Sequence, residues 1–133
     1  MFLDYLKDEY QFALYNVHYD LVKPEGGTEL ELNISDDLSS DIVDGTLHII
    51  VTRTVSFIPA ALYTVSVKYT LSIPFKEDVD PSALTIDWSK EFTEHENAYL
   101  SNIMSRASHI IAAITSSGGQ PPIITPPVFM PNN

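Results

Sequence analysis

The side chains that most often carry catalysis or bind metals are sparse in this sequence. It has 133 residues, no cysteine, and four histidines at positions 18, 48, 95 and 109. No two histidines lie two to five residues apart, which is the spacing of zinc ligands on one element. The serines lack a G-x-S-x-G turn, and the Gly-Gly pairs lack the lysine of a phosphate loop. We therefore expect no metal, no cofactor and no enzymatic activity.

Four aspartates lie close together at positions 36, 37, 41 and 44. Carboxylates at short intervals can bind calcium, but this spacing does not fit the EF-hand loop, and no glutamate follows at the required place. We interpret residues 35–45 as a solvated acidic loop that closes on Gly45.

The overall charge also limits the possible partners. Eighteen acidic residues against seven basic ones give a net charge of −11. Such a surface repels nucleic acids and anionic membranes and attracts basic proteins, although the acidity could equally serve solubility alone. No apolar run reaches the ~18 residues that span a bilayer, so we expect a cytoplasmic protein. The acids expected to dock a partner are Glu29, Glu31, Asp36, Asp37, Asp41 and Asp44.

Residues 10–75 carry the pattern of four strands. Residues 63–73 alternate strictly between apolar and polar, and residues 46–57 do so apart from Arg53 on the apolar face and Ile50 on the polar face. This pattern predicts an antiparallel hairpin with one covered face. In the first strand the alternation changes phase near Asn16, which indicates either a β-bulge or burial on both faces.

The helical period follows the strands. Thr93 and Glu96 fit a capping box, an apolar stripe continues to Ile114, and Gly118 and Gly119 end the pattern. We predict one helix over residues 94–117, followed by an extended tail over residues 118–133 that holds five of the nine prolines. The expected fold is a single α+β domain over residues 1–133, with a four-stranded antiparallel sheet covered on one face by this helix.

A second stripe on the predicted helix consists of small uncharged residues. Its members are three or four residues apart, so they share one side of a helix. Small side chains allow a second helix to approach closely. We therefore expect a homo-oligomer with this stripe at the interface, whereas a solvated serine-rich face is the alternative. The stripe is Ser101, Ser105, Ser108, Ala112 and Ser116.

Two segments of the chain resemble the SecB family of protein-export chaperones. Residues 30–75 are similar to the central strands of that family, and residues 105–129 are similar to its helix and the Gly/Pro-rich segment after it. The residues in step with the family pattern in the second segment are Ser117, Gly118, Gly119, Pro121, Ile123, Pro127, Val128 and Phe129.

The resemblance implies a homotetramer, a dimer of dimers, that holds unfolded polypeptides and delivers them to the SecA motor. It implies no cofactor and no reaction. The sequence departs from the family at Thr64-Val65-Ser66, where the family's docking strand carries Leu-x-Glu. The family continues into a second helix after the P-V-x-F stretch; we expect this helix to be missing here and the client groove to be more open.

Two functions are consistent with these features. One is a chaperone for extended apolar segments that could serve protein export, and the other is a dedicated interaction module, such as a toxin–antitoxin chaperone, without an export role. For each candidate client-binding residue, packing in the core is the alternative. These residues are Tyr63, Tyr69, Trp88, Met104, Ile123, Ile124, Phe129 and Met130.

Overall fold

Four long strands form one antiparallel sheet in the computed structural model, which describes residues 2–24, 26 and 29–131. The strands are β1 (Gln11–Leu21), β2 (Glu31–Val43), β3 (Thr46–Ile58) and β4 (Tyr63–Pro74), in the spatial order β1-β4-β3-β2. Two helices follow, α1 (Trp88–Glu94) and α2 (Ala98–Ser117), and short 3₁₀ turns occupy Phe2–Tyr5 and Pro81–Ala83. The predicted α+β fold is confirmed.

The phase change in β1 is a β-bulge. Leu14 pairs with Tyr69 and Asn16 pairs with Lys68, so Tyr15 has no opposite residue. In a regular strand, an even-numbered and an odd-numbered residue point to opposite faces. The extra residue of the bulge keeps Phe12 and Val17 on the same face of the sheet. The bulge therefore lets both halves of β1 face the helix.

The region predicted as an acidic loop is a strand. β2 continues to Val43 and pairs with β3 along its whole length, with Leu38 opposite Val51. Only Asp44 and Gly45 form the turn, at φ angles of 51° and 72°. A two-residue turn with both residues left-handed matches the twist of a β-hairpin. Pairing with the apolar strand β3 overrides the low strand propensity of the serines and aspartates.

The core lies between the sheet and the helices. β3 and β4 contribute alternate apolar residues, including Val55, Val65 and Ile73, and α2 contributes Ile103 and Ile111 against them. Each fully buried side chain of this size contributes about 1.5–3 kcal/mol relative to an exposed one. The other face of the sheet is polar and partly exposed, as the alternation predicts.

The single helix predicted over residues 94–117 is two helices. Asp87 caps α1 and Asn97 caps α2, so the expected capping box at Thr93 and Glu96 does not form. The Thr93 hydroxyl instead donates to the Ser89 carbonyl within α1, at 2.9 Å. The end of α2 agrees with the prediction, because Gly118 is its C-cap.

Buried Asn97 connects the two helices. Its side-chain amide donates to the Phe92 carbonyl at 3.0 Å, and its side-chain oxygen accepts from the Leu100 N–H at 2.9 Å. Helix α1 packs beside β2, and its Trp88 and Phe92 rings contact Phe2 edge to face. Within the described residues, no helix is long and apolar enough to cross a membrane.

Candidate functional site

A buried arginine interrupts the apolar face of β3. Arg53 lies between Val51 and Val55 and is fully buried, and Asp36 on β2 is directly opposite it. The guanidinium binds this carboxylate through two hydrogen bonds, from Nε to Oδ1 at 2.8 Å and from Nη2 to Oδ2 at 2.6 Å. A buried pair with this bidentate geometry keeps both charges compensated.

The other hydrogen bonds of Arg53 go mainly to the C-terminal tail, residues 118–131, and also to Ser108 Oγ at 3.3 Å and Met104 Sδ at 3.6 Å on α2. Nη1 donates to the Pro126 carbonyl and to Thr125 Oγ1 at 3.0 Å, and Nη2 donates to the Val128 carbonyl at 2.6 Å. Asp36 holds the next part of the tail, since its N–H donates to the Met130 carbonyl at 2.8 Å. Its carboxylate accepts from the Met130 N–H at 2.7 Å.

Helix α2 provides two more anchors for the tail. Ser108 Oγ donates to the Thr125 carbonyl at 2.6 Å, and Thr115 Oγ1 accepts from the Ile123 N–H at 3.0 Å. These anchors are seven residues apart on the helix and therefore lie on one side of it. We call Asp36, Arg53, Ser108 and Thr115 the tail clamp.

A groove lies on the other side of α2, beside β1. It encloses about 380 Å³ between Tyr10, Phe12, Tyr99 and Ile103. The rings of Tyr10 and Tyr99 meet edge to face with 5.0 Å between their centroids. Burial raises the pKa of Tyr99, and the neighbouring Tyr10 and Asp8 raise it further. We call this the aromatic groove.

The groove continues along α2 into a second cavity of about 480 Å³. Asn102 lines both cavities, and Tyr69, Arg106 and His109 line the second. The Arg106 guanidinium lies 4.8 Å from the centre of the Phe12 ring, and its Nε donates to Asn102 Oδ1 at 3.1 Å. The apolar groove therefore leads into a more polar cavity, where Asn102 and Arg106 are able to orient a bound chain.

Half of the predicted client-binding residues are in the core. Tyr63, Tyr69, Trp88 and Met104 are each at most 5% exposed, because they face the sheet–helix interface. Core packing accounts for Tyr63, Trp88 and Met104, while Tyr69 is buried and also lines the second cavity. The other four are in the tail, where Ile124 is 77% exposed and Ile123, Phe129 and Met130 are half-buried.

One of the six acidic residues predicted to dock a partner is not at the surface. Asp36 is buried in the pair with Arg53, because even-numbered residues of this part of β2 face the helix, so it cannot contact a partner. The other five remain exposed at the surface: Glu29, Glu31, Asp37, Asp41 and Asp44.

The small-residue stripe is divided by the tail. Ser101, Ser105 and Ser116 are exposed and Ala112 is half-buried, whereas Ser108 bonds to Thr125. Ser108 is therefore a tail anchor rather than a free interface residue, because the tail crosses the helix at that turn.

The histidines make ordinary polar contacts. His48 Nδ1 lies 2.9 Å from Ser72 Oγ, and His95 Nε2 lies 3.1 Å from Glu91 Oε2. Among residues 2–24, 26 and 29–131, no three histidine or acidic side chains are close enough together to hold a metal ion.

Sequence reasoning missed the clamp and the aromatic groove. A charged residue within the apolar alternation of β3 was the available signal for Arg53, since a buried charge requires a partner. No local pattern links Tyr10 to Tyr99, which are far apart in the chain and meet only because α2 crosses β1.

The comparisons with known proteins concern the fold. No protein-family model matches the sequence, and no curated protein matches it. The structure is similar to Rv1957, a SecB-like chaperone of Mycobacterium tuberculosis solved in complex with a ChAD peptide from the Rv1956 HigA1 antitoxin. The TM-score is 0.65 at 8% identity, covering 92% of this chain and 86% of that chain. The chain has a SecB-like fold.

A second similar structure is a protein of unknown function from Streptococcus agalactiae. Its TM-score is 0.46 at 11% identity, covering 91% of this chain and 98% of that chain.

Proposed function

We propose that this protein is a chaperone that binds unfolded or extended polypeptide segments in the cytoplasm and catalyses no reaction. The observation that carries the proposal is the aromatic groove, an open apolar channel at the surface of a strongly acidic chain. Exposed apolar grooves on otherwise polar surfaces are typical binding sites for other polypeptides.

The chemistry of the groove suits an extended client. Tyr10, Phe12 and Tyr99 offer aromatic surface to apolar side chains, while Asn102 and Arg106 can donate hydrogen bonds to main-chain carbonyls. Backbone recognition with apolar contacts selects for an unfolded state rather than for one sequence. The likeness to a SecB-like chaperone solved with a bound peptide supports the same function.

The exposed acidic residues favour a basic protein as a second binding partner. Glu29, Glu31, Asp37, Asp41 and Asp44 remain available for it, and their attraction weakens over a Debye length of about 10 Å at 0.1 M salt. The SecA motor is one candidate. The same charge disfavours nucleic acids and anionic membranes.

A dedicated interaction module without an export role is the second candidate function. Two observations favour it. Thr64, Val65 and Ser66 replace the docking motif of the export chaperones, and the similar Mycobacterium tuberculosis protein is bound to an antitoxin peptide. Such a module would protect one partner instead of many clients.

We further propose that the protein forms a homo-oligomer, a dimer or tetramer, through α2. Ser101, Ser105, Ala112 and Ser116 still form a face of small residues after Ser108 is assigned to the tail. A self-complementary face of this kind is the usual origin of a symmetric dimer.

The function is tested by suppression of aggregation of several unrelated unfolded proteins. We expect the wild type to suppress all of them and Tyr10→Ser, in the aromatic groove, to suppress them less. Tyr15→Ser is the matched control, because Tyr15 is 66% exposed and its ring lies under the Lys68 ammonium, away from the groove. Suppression of a single client would favour the dedicated module, and no suppression at all would reject the general chaperone.

A further inference from the structure

The tail is joined to the sheet by very little backbone pairing. Asp36 and Pro131 form an isolated parallel bridge at the free edge of β2. Within the described ranges, the bond from the Asp36 N–H to the Met130 carbonyl is the one backbone–backbone hydrogen bond between tail and sheet. The Met130 N–H binds the Asp36 carboxylate instead of a main-chain carbonyl. The tail is therefore not a fifth strand of the sheet.

The clamp holds the tail mainly through groups that every polypeptide possesses. Arg53 binds the carbonyls of Pro126 and Val128, which are two residues apart, as the successive same-side carbonyls of an extended chain are. Ser108 binds a third carbonyl, and Thr115 and Asp36 accept main-chain N–H groups. Thr125 contributes a side chain, whose hydroxyl is contacted by both Arg53 and Ser108.

Apolar packing holds the tail only in part. Ile123 and Phe129 pack against the core while partly exposed, whereas Ile124 is 77% exposed and Val128 is 59% exposed. The hydrophobic effect therefore contributes less to the position of this stretch than to that of the fully buried core elements. A chain with better apolar contacts and the same carbonyl spacing would compete with it.

We propose that the tail is an internal occupant of a client site, and that an extended client segment displaces it and binds Arg53 through its own carbonyls. The proposal rests on the proposed chaperone function and names a second client channel, between α2 and the free edge of β2. Displacement also releases Ile123, Phe129 and Met130, the half-buried residues that the sequence indicated as client contacts.

The buried ion pair makes this exchange feasible. Asp36 stays bound to Arg53 when the tail leaves, so the charge of the guanidinium is never left uncompensated. Its remaining donors still require acceptors, because unpaired buried polar groups are unfavourable. The empty channel consequently favours the entry of any chain that supplies carbonyls at the right spacing.

A reversible covalent lock tests the displacement. Ser108 Oγ and Thr125 Oγ1 are 2.7 Å apart, and the chain contains no cysteine, so Ser108→Cys with Thr125→Cys creates one possible disulfide. The probe is reduced, carboxymethylated α-lactalbumin, a permanently unfolded chain. Its dissociation constant is measured for the wild type and for the double variant, oxidised and reduced. The single variant Ser108→Cys controls for loss of the serine bonds.

We expect the oxidised double variant to bind the probe at least tenfold more weakly than its reduced form, since the locked tail closes the second channel and leaves only the aromatic groove open. Equal affinities, with the wild type also binding, would reject displacement and leave the chaperone function intact. No binding by the wild type would reject both. Hydrogen exchange of the Met130 amide in the wild type provides a second measurement: the client accelerates exchange if the tail leaves, and unchanged exchange overturns the proposal.

Discussion

The hydroxyl oxygen of Tyr19 lies 2.7 Å from the point where a Cβ atom on Gly118 would stand. Gly118 has a φ angle of −78°, which any residue adopts, so this position needs glycine for space and not for conformation. The Tyr19 ring in turn stacks on Tyr63, with 5.5 Å between their centroids. The end of α2 thus fits against β1 because Gly118 has no side chain.

This contact predicts that Gly118→Ala costs up to about 1 kcal/mol of stability, because the added Cβ must displace the hydroxyl end of the Tyr19 side chain. Gly→Ala at a compatible position normally stabilises by ~0.4–1 kcal/mol, so the sign alone is diagnostic. Tyr19→Phe removes the closest atom and should recover part of the loss. Urea unfolding of the two single variants and the double variant measures the coupling, with exposed Ser117→Ala as the control. A stabilising Gly118→Ala would contradict the contact.

The buried pair of Asp36 and Arg53 gives the largest expected effect. Asp36→Ala leaves the guanidinium without its counter-charge and should cost about 3–5 kcal/mol in the free energy of unfolding. Asp37→Ala, at the exposed neighbouring position, should change it by less than about 0.5 kcal/mol. Replacing both partners, with Asp36→Leu and Arg53→Met, should be less harmful than Asp36→Ala. Equal losses for Asp36→Ala and Asp37→Ala would mean that the pair is not buried.

The boundary between α1 and α2 is tested at its caps. Asn97→Ala removes an N-cap and two bonds to carbonyls of the preceding segment, so it should cost about 1–2 kcal/mol. Asp87→Ala removes the cap of α1 and should cost about 1 kcal/mol. Glu96→Ala should change the stability little. A single helix with a capping box at Thr93 and Glu96 would instead predict that Glu96→Ala lowers the stability. Thermal unfolding of the three variants separates the two arrangements.

Alkaline pH should destabilise the protein. Burial raises the pKa of Tyr63 and of Tyr69, with Tyr19 adding to the first shift and Arg106 opposing the second. Unfolded tyrosines lose their protons near pH 10.0, while these two keep theirs to higher pH. The free energy of unfolding is therefore unaffected by these groups below pH 10 and falls as pH rises above it.

Urea unfolding between about pH 8 and 11 measures this fall. Tyr69→Phe should flatten the upper part of the curve, since phenylalanine cannot ionise. A curve as steep in Tyr69→Phe as in the wild type would assign the alkaline transition to other groups.

The proposed oligomer depends on the small residues of α2. Ser105→Glu or Ala112→Glu should dissociate it, because a buried unpaired carboxylate costs several kcal/mol. Ala113→Glu is the matched control, since Ala113 is exposed and adjacent to Ala112 but off the stripe. Light scattering on the wild type and the three variants decides the matter. A monomeric wild type, or an oligomer indifferent to all three, would remove the stripe from the interface.

Sequence reasoning predicted the elements whose local pattern and tertiary environment agree. The alternation of β3 and β4 gave their faces and their hairpin, and the phase change at Asn16 marked the bulge. It failed for β2, where polar residues are held in a strand by their neighbour. The Asp44-Gly45 turn was a signal for that hairpin, since Asp-Gly between alternating residues favours a type I′ turn.

The candidate site was less predictable because it depends on contacts between distant segments. The bond between Arg53 and Val128 spans 75 positions, and only the folded sheet brings them together. The core and a binding surface use the same types of apolar residue. The sequence alone therefore could not distinguish buried Trp88 and Met104 from exposed Ile124. The break at Asn97 was hidden because the apolar period continues through it.

Asp36 and Arg53 are far in sequence from the tail residues that they bind, and this separation matters during synthesis on the ribosome. Asp36 and Arg53 are 17 positions apart and can pair as soon as the β2–β3 hairpin emerges, whereas the Pro126 carbonyl follows Arg53 by 73 positions. At 5–20 residues per second, the nascent chain waits about 4–15 s between these events. During that interval neither α2 nor the tail is in place, so the donors of Arg53 that Asp36 does not bind are exposed to whatever other nascent chain is nearby.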